Sequence, residues 1–219
     1  PPAVPTQNVT PPGDGIMEKP CPADQRALNF AHPYVRQYDW AWQCRFAEAD
    51  KQLAQAPRVV FIGDSITENW VGLAPSLFVN GAVGRGISGQ TAPQVLVRFY
   101  QDVVRLQPRV VHIMVGTNDL AGNTGPSSPE MYANHIAAMV DIARANGIAV
   151  VVGSILPAAR FGWKPQLSPA RQVVAEVFRC QADARRAAVD DAADRRPVAL
   201  APGRHAKQMA EAVVGHRTT

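Results

Sequence analysis

Arg58-Val59-Val60-Phe61-Ile62-Gly63-Asp64-Ser65-Ile66-Thr67 is the stretch on which the fold of this chain turns. An apolar run rich in β-branched residues stops at a glycine, and a carboxylate and a hydroxyl follow at once. Such a run reads as a strand covered on both faces. In a parallel α/β sheet the junction after it is a carboxyl strand end, the edge at which open sheets bind their ligands. Ser65 then stands at the mouth of the sheet and at the start of the next helix. Ser65-Ile66-Thr67-Glu68 also fits the S-x-x-E capping box, in which both side chains satisfy free amides at a helix start. The pattern alone leaves both roles open.

Upstream, a helical pattern covers residues 33–53, with Trp40, Cys44, Phe46 and Leu53 near one face, and is expected to pack beside the first strand at 58–62. A short second strand is predicted at 82–84, after the aromatic and proline-bearing segment 70–78. A well-signalled helix follows: Thr91 and Gln94 form a capping pair, Pro93 suits the first turn, and Pro108 closes the end. Its stripe Leu96, Phe99, Val103 and Leu106 has the spacing of a core-facing side. The third strand, 110–115, is apolar apart from His112, which reads as a core histidine. A helix over 130–146 carries Ile136, Met139, Val140 and Ala143 inward and ends at Gly147, and a fourth strand covers 148–156. Strands alternating with helices of this length predict a doubly wound parallel sheet.

Two further loops fall at carboxyl strand ends. Gly86-Ile87-Ser88-Gly89-Gln90-Thr91 follows the second strand, and Gly116-Thr117-Asn118-Asp119 follows the third. Both can converge on Ser65. Gly-Asp-Ser-Ile, Ile-Ser-Gly-Gln-Thr and Gly-Thr-Asn-Asp, in this order, resemble the SGNH (GDSL-type) hydrolase family. The likeness runs from about residue 58 to about residue 163, with Gly122-Asn123-Thr124-Gly125 and Leu156-Pro157-Ala158-Ala159-Arg160-Phe161-Gly162-Trp163 included. Each short motif is weak alone; three in register on the expected loops are specific.

The resemblance implies an α/β, flavodoxin-like three-layer α/β/α sandwich with a parallel sheet of about five strands. It implies hydrolysis of a carboxylic ester or thioester through an acyl-serine, with Ser65 as nucleophile. The backbone N–H groups of Ser65 and Gly89 and the side-chain amide of Asn118 would hold the oxyanion. Glycine lets backbone approach the substrate closely, and an asparagine amide donates a hydrogen bond without carrying charge. Asp64, Trp70, Phe161 and Trp163 are the residues expected on the substrate side, ordinary packing being the competing role for the aromatic ones. The expected partner is a small-molecule or glycan ester, and no cofactor or metal is implied. Acyl transfer to a sugar shares the acyl-serine step with hydrolysis.

Two rival patterns are weaker. Gly84-Arg85-Gly86-Ile87-Ser88-Gly89 satisfies the dinucleotide fingerprint G-x-G-x-x-G, but the acidic residue expected about 20 positions on is missing. Val111 stands near that place. The α/β-hydrolase elbow G-x-S-x-G and a Walker sequence are absent.

A serine nucleophile needs a base, usually a histidine oriented by a carboxylate. Of five histidines, His32 precedes the core, His112 lies within a strand, His135 is on a helix away from the strand ends, and His216 is near the end. His205 remains, after a possible last strand at 197–201, in the place of the family histidine. Where the family pattern Asp-x-x-His has its aspartate, this chain has Pro202. A catalytically impaired relative that only binds carbohydrate or acyl groups is therefore the alternative. Residues 180–196 are mostly Ala, Arg and Asp with hardly any apolar stripe, which a reading-frame change near Phe178 in a GC-rich gene would produce.

The 219 residues suffice for one domain, here 33–219, with the tail from about residue 176 departing from the family. Residues 1–32 form a Pro-rich N-terminal extension, expected to be disordered or loosely packed. The formal charge of +4 is spread without a basic stripe, so no nucleic-acid partner is expected. No apolar stretch approaches the roughly 18 residues of a membrane span. Three cysteines allow a Cys21–Cys44 pair with Cys180 left over, and with the leader-like start they favour a secreted or periplasmic protein, otherwise a cytoplasmic one.

Overall fold

In the computed structural model the described residues are Cys21, Leu28, 32–155 and 161–167. The strands are β1 (Val59–Gly63), β2 (Ala82–Gly86), β3 (Val110–Met114) and β4 (Ala149–Val152). They form one parallel sheet in the order β2-β1-β3-β4. Val59 aligns with Ala82 on one side and Val110 on the other, and Gly63 with Gly86 and Met114. This is the doubly wound order as far as its fourth strand, with the switch point between β1 and β3. The expected last strand at 197–201 lies outside the described residues.

Crossovers are α3 (Ser65–Leu73), α4 (Ala92–Asp102) and α6 (Pro129–Ala145). A four-residue helix, α5 (Thr117–Leu120), follows β3. Val60, Ile62, Val111, Ile113, Val150 and Val152 point to one sheet face and are buried against α4 and α6. Val95 and Phe99 of α4 and Ile136, Met139, Val140 and Ala143 of α6 complete that core. The α6 positions match the spacing expected from sequence. The α4 box also forms, with Thr91 N–H donating to Gln94 Oε1 at 3.0 Å. The helix itself ends at Asp102, and a 3₁₀ turn at Val104–Leu106 carries the chain to Gln107, which has φ 52°.

On the opposite face Phe61 and His112 sit side by side, their rings 5.3 Å apart, with Trp70 of α3 5.7 Å from His112. His112 Nδ1 is inaccessible and has no partner among the described residues. Burial lowers its pKa to about 4. A folded-state value depressed below the unfolded one gives stability that is present above about pH 6.5 and lost as the pH falls toward 4. His112→Phe is therefore expected to lose less melting temperature than wild type between pH 7 and pH 5. Parallel melting curves at the two pH values check this; equal losses would count against it.

The single helix expected over 33–53 is two short ones, α1 (Pro33–Tyr38) and α2 (Ala47–Lys51). The break has a local cause. The Asp39 carboxylate accepts from the Gln43 and Cys44 amides at 2.8 and 3.1 Å, and Trp42 takes φ 51°, which a continuing helix does not allow. Trp42, not Trp40, is then buried, with Val35 and Ile87. The segment docks on the β2–α4 side, not beside β1: Gln90 and Gln94 side chains donate to the carbonyls of Ala41 and Trp40, both at 2.7 Å, and Arg85 pairs with Asp50. The Cys21–Cys44 disulfide ties the extension to this segment.

Candidate active site

β1 ends at Gly63, and the next residue caps α3. Asp64 Oδ1 accepts from the Ile66 amide at 3.0 Å. The sequence pattern offered Ser65 with Glu68 as one reading of that cap, and the structure gives it to Asp64. Ser65 is the first helical residue and half-buried, while Glu68 turns to the next loop and accepts from both the amide and the hydroxyl of Ser88. The serine is thus released from capping by its neighbour. The close approach of α3 to the strand ends requires glycine: a Cβ on Gly86 would strike the backbone of Thr67 and Glu68.

β2 continues two residues beyond its expected end, so Gly84 and Gly86 pair with Phe61 and Gly63 inside the sheet. The first two glycines of the G-x-G-x-x-G pattern are therefore strand, and only its last three residues form a turn. Ile87 N–H bonds Gly63 O at 3.1 Å, and Gly89 takes φ 81° in the turn beyond. After β3, Gly116 at φ 135° delivers α5. Asn118, 3% exposed, donates from Nδ2 to Gln90 O at 2.9 Å and lies 3.4 Å from Asp64 Oδ2. Hydrogen bonds thus join all three loops at the carboxyl edge, beside Ser65.

Carboxylates in this edge are desolvated. Burial pushes Asp64 up to about 7, against the pull of the Ile66 amide and with a push from Asp119. Asp119, whose two oxygens accept from the Ala92 amide at 3.1 and 3.0 Å, is raised by burial to about 6. Asp64 is consequently a cap and a neighbour of Asn118. It is 1% exposed in the described structure.

The expected aromatic residues separate. Trp163 is half exposed, and its Nε1 donates to Asn123 Oδ1 at 3.2 Å. Phe161 lies behind it, ring centroids 5.3 Å apart, and is 1% exposed, so it supports the rim rather than lining it. Lys164 fastens this segment by donating to Ala121 O and Gly122 O at 2.7 and 2.9 Å. Trp70 is not brought to the edge: it is buried on the sheet face against Phe61 and His112. His205, the expected base, and Pro202 lie outside the described residues, as does the region of the supposed frame change.

Two residues were missed from sequence. Asn123 Nδ2 donates to Asn118 Oδ1 at 2.9 Å and to Gly89 O at 3.3 Å. Arg98, fully buried, donates to Gly63 O, Arg85 O, Gln90 Oε1 and Asp102 Oδ2 at 2.6–2.9 Å. Gln94, Arg98 and Asp102 recur every four residues on an otherwise apolar side of α4, and that polar stripe was the available signal.

A parallel sheet with these three loops bonded at its carboxyl edge is the arrangement that the resemblance to GDSL-type hydrolases implies. The sequence profile of the GDSL-like Lipase/Acylhydrolase family matches residues 61–212, and the chain belongs to that family. The matched range contains His205. A GDSL-like lipase from Bacteroides thetaiotaomicron VPI-5482 is similar in structure, with TM-score 0.66 and 35% identity over 80% of this chain and 96% of that one. A putative acylhydrolase from Bacteroides fragilis NCTC 9343 is similar too, with TM-score 0.66 and 36% identity over 81% and 95%. No curated protein matches.

Proposed function

We propose that this protein is a serine esterase that hydrolyses an acyl or acetyl ester through an acyl-serine. Ser65 Oγ attacks the ester carbonyl carbon and His205 accepts its proton. The carbonyl π electrons move onto oxygen, which the amides of Ser65 and Gly89 and the side chain of Asn118 stabilise. Collapse expels the alcohol, which takes back the proton. Water then attacks the acyl-serine by the same route and releases the acid. The carrying observation is the Asn118 amide, anchored at 2.9 Å to the β2–α4 loop and directed at the turn that presents Ser65. Its 3.4 Å contact with Asp64 is the longer of its two, which makes that N–H the one available to a developing oxyanion.

The substrate reading is a small-molecule or glycan ester with one side against the exposed face of Trp163. The Cys21–Cys44 disulfide supports an oxidising compartment, outside the cytoplasm. Turnover of p-nitrophenyl acetate tests the proposal. Asn118→Ala is expected to lower kcat by about 10²- to 10³-fold, with a much smaller change in KM, measured on protein whose melting curve shows it folded. Equal background rates in wild type and Ser65→Ala would instead leave a binding module.

A further inference from the structure

Asn118 can serve an oxyanion only if its NH₂ end, not its carbonyl end, faces Ser65. Nothing in an isolated asparagine decides this, since the two ends have almost the same shape. The neighbours decide it. Gln90 O and Gly89 O can only accept, and the Trp163 indole N–H can only donate.

Those three fixed groups leave one arrangement of the two amides between them. Asn123 must present Oδ1 to Trp163 at 3.2 Å and Nδ2 to Gly89 O at 3.3 Å. That Nδ2 also reaches Asn118 Oδ1 at 2.9 Å, so Asn118 must turn Nδ2 toward Gln90 O and Asp64. A reversed Asn118 would set its oxygen against Gln90 O and its NH₂ against that of Asn123. The Asn123 backbone amide, bonded to Asn118 O at 3.1 Å, holds the two residues in register.

We infer that Asn123 is a positioning residue: it relays the donor of Trp163 to Asn118, sets the direction of the Asn118 amide, and ties it to Gly89. This rests on the esterase reading for its catalytic meaning, but the polarity of the relay does not. Both oxyanion loops and the exposed tryptophan at the rim are joined by one side chain, so a substrate group that shifts Trp163 acts on the oxyanion donors as well.

Asn123→Asp tests it with almost no change of shape. The protonated acid keeps the relay itself, since its O–H donates to Asn118 and its carbonyl accepts from Trp163, while the longer 3.3 Å bond to Gly89 O is lost at every pH. The carboxylate cannot donate, and it faces Asn118 Oδ1. Its folded-state pKa is therefore raised above the ordinary value of about 4. Stability is closest to wild type at low pH and falls further as the pH rises through the raised value. The melting-temperature gap to wild type is expected to be smallest near pH 4.5 and to widen by pH 8. The kcat ratio of variant to wild type is expected to fall over the same range, by about 10²-fold at its end, with KM little changed. Trp163→Phe, which keeps the ring and deletes the donor, is expected to lower kcat about fivefold, the worth of one hydrogen bond of about 1 kcal/mol.

A melting gap and a kcat ratio that are both flat with pH would overturn the relay, as would a Trp163→Phe enzyme with wild-type kcat. Should wild type show no Ser65-dependent turnover, the esterase reading falls, and the pH dependence of the melting gap, which involves no catalysis, still decides the relay.

Discussion

Ser65→Ala is expected to reduce turnover of p-nitrophenyl acetate to the residual level that oxyanion donors and substrate binding sustain alone, at most about 10³- to 10⁴-fold above the uncatalysed rate. Deleting the nucleophile of a serine hydrolase removes the covalent step altogether, a loss on the order of 10⁶-fold in kcat where the full triad operates. Pro202 stands in the place of the orienting aspartate, and a missing aspartate alone costs about 10⁴-fold. The wild-type rate is accordingly expected to be modest, and the measured ratio smaller than for a complete triad. The same variant is expected to keep its melting temperature. Asp64, not Ser65, holds the Ile66 amide that caps α3, so the serine can be truncated without unpairing the helix start. A variant that turned over ester at the wild-type rate would remove Ser65 from the mechanism. One that lost activity only together with its fold would give it a structural role instead.

Arg98→Met is expected to destabilise the protein by about 3–5 kcal/mol, the loss that follows when one member of a buried ion pair is removed. Arg98 is fully buried and pairs with Asp102 at 2.7 Å. Burial pushes Asp102 up to about 6 even against the pull of Arg98, so without Arg98 its carboxyl is driven to take up a proton at neutral pH and stays buried without its partner. Gly63 O, Arg85 O and Gln90 Oε1 would lose a donor at the same time. Urea unfolding at pH 7 measures the difference. The double variant Arg98→Met/Asp102→Leu is expected to recover a large part of it, because replacing both leaves no buried carboxyl without a partner. A single variant as stable as wild type would show that the ends of β1 and β2 are held without this side chain. Its importance for the site is positional: one guanidinium spans the last carbonyls before the Ser65 turn and the loop that carries Gly89.

Features that depend on neighbours along the chain were legible beforehand. The apolar runs of β1, β3 and β4, the Thr91–Gln94 box and the inward stripe of α6 all follow from spacing and local propensity. So did the convergence of the Ser65, Gly89 and Asn118 loops, since carboxyl ends of parallel strands share one edge. The break at residues 39–46 was not legible, because the apolar positions read as one helical face are also compatible with a turn in which Asp39 takes two backbone amides. Trp70 was misplaced for a related reason. Position near a strand end does not tell which face of α3 a side chain takes, and this one turns under the sheet toward His112.

The sequence by itself determined the order of strands and helices, the family, and the residue types available to the three loops, all of which are set by local pattern. Tertiary structure decided which of those residues was free to act. Asp64 and Ser65 offer equivalent capping oxygens in one dimension, and only the packing of α3 against Gly86 and Ser88 assigned the cap to Asp64 and drew Glu68 away. The direction of the Asn118 amide likewise came from groups on two loops and a distant tryptophan. A hydrogen bond has a donor and an acceptor end, and which end a side chain offers is set by partners that meet only when the chain has folded.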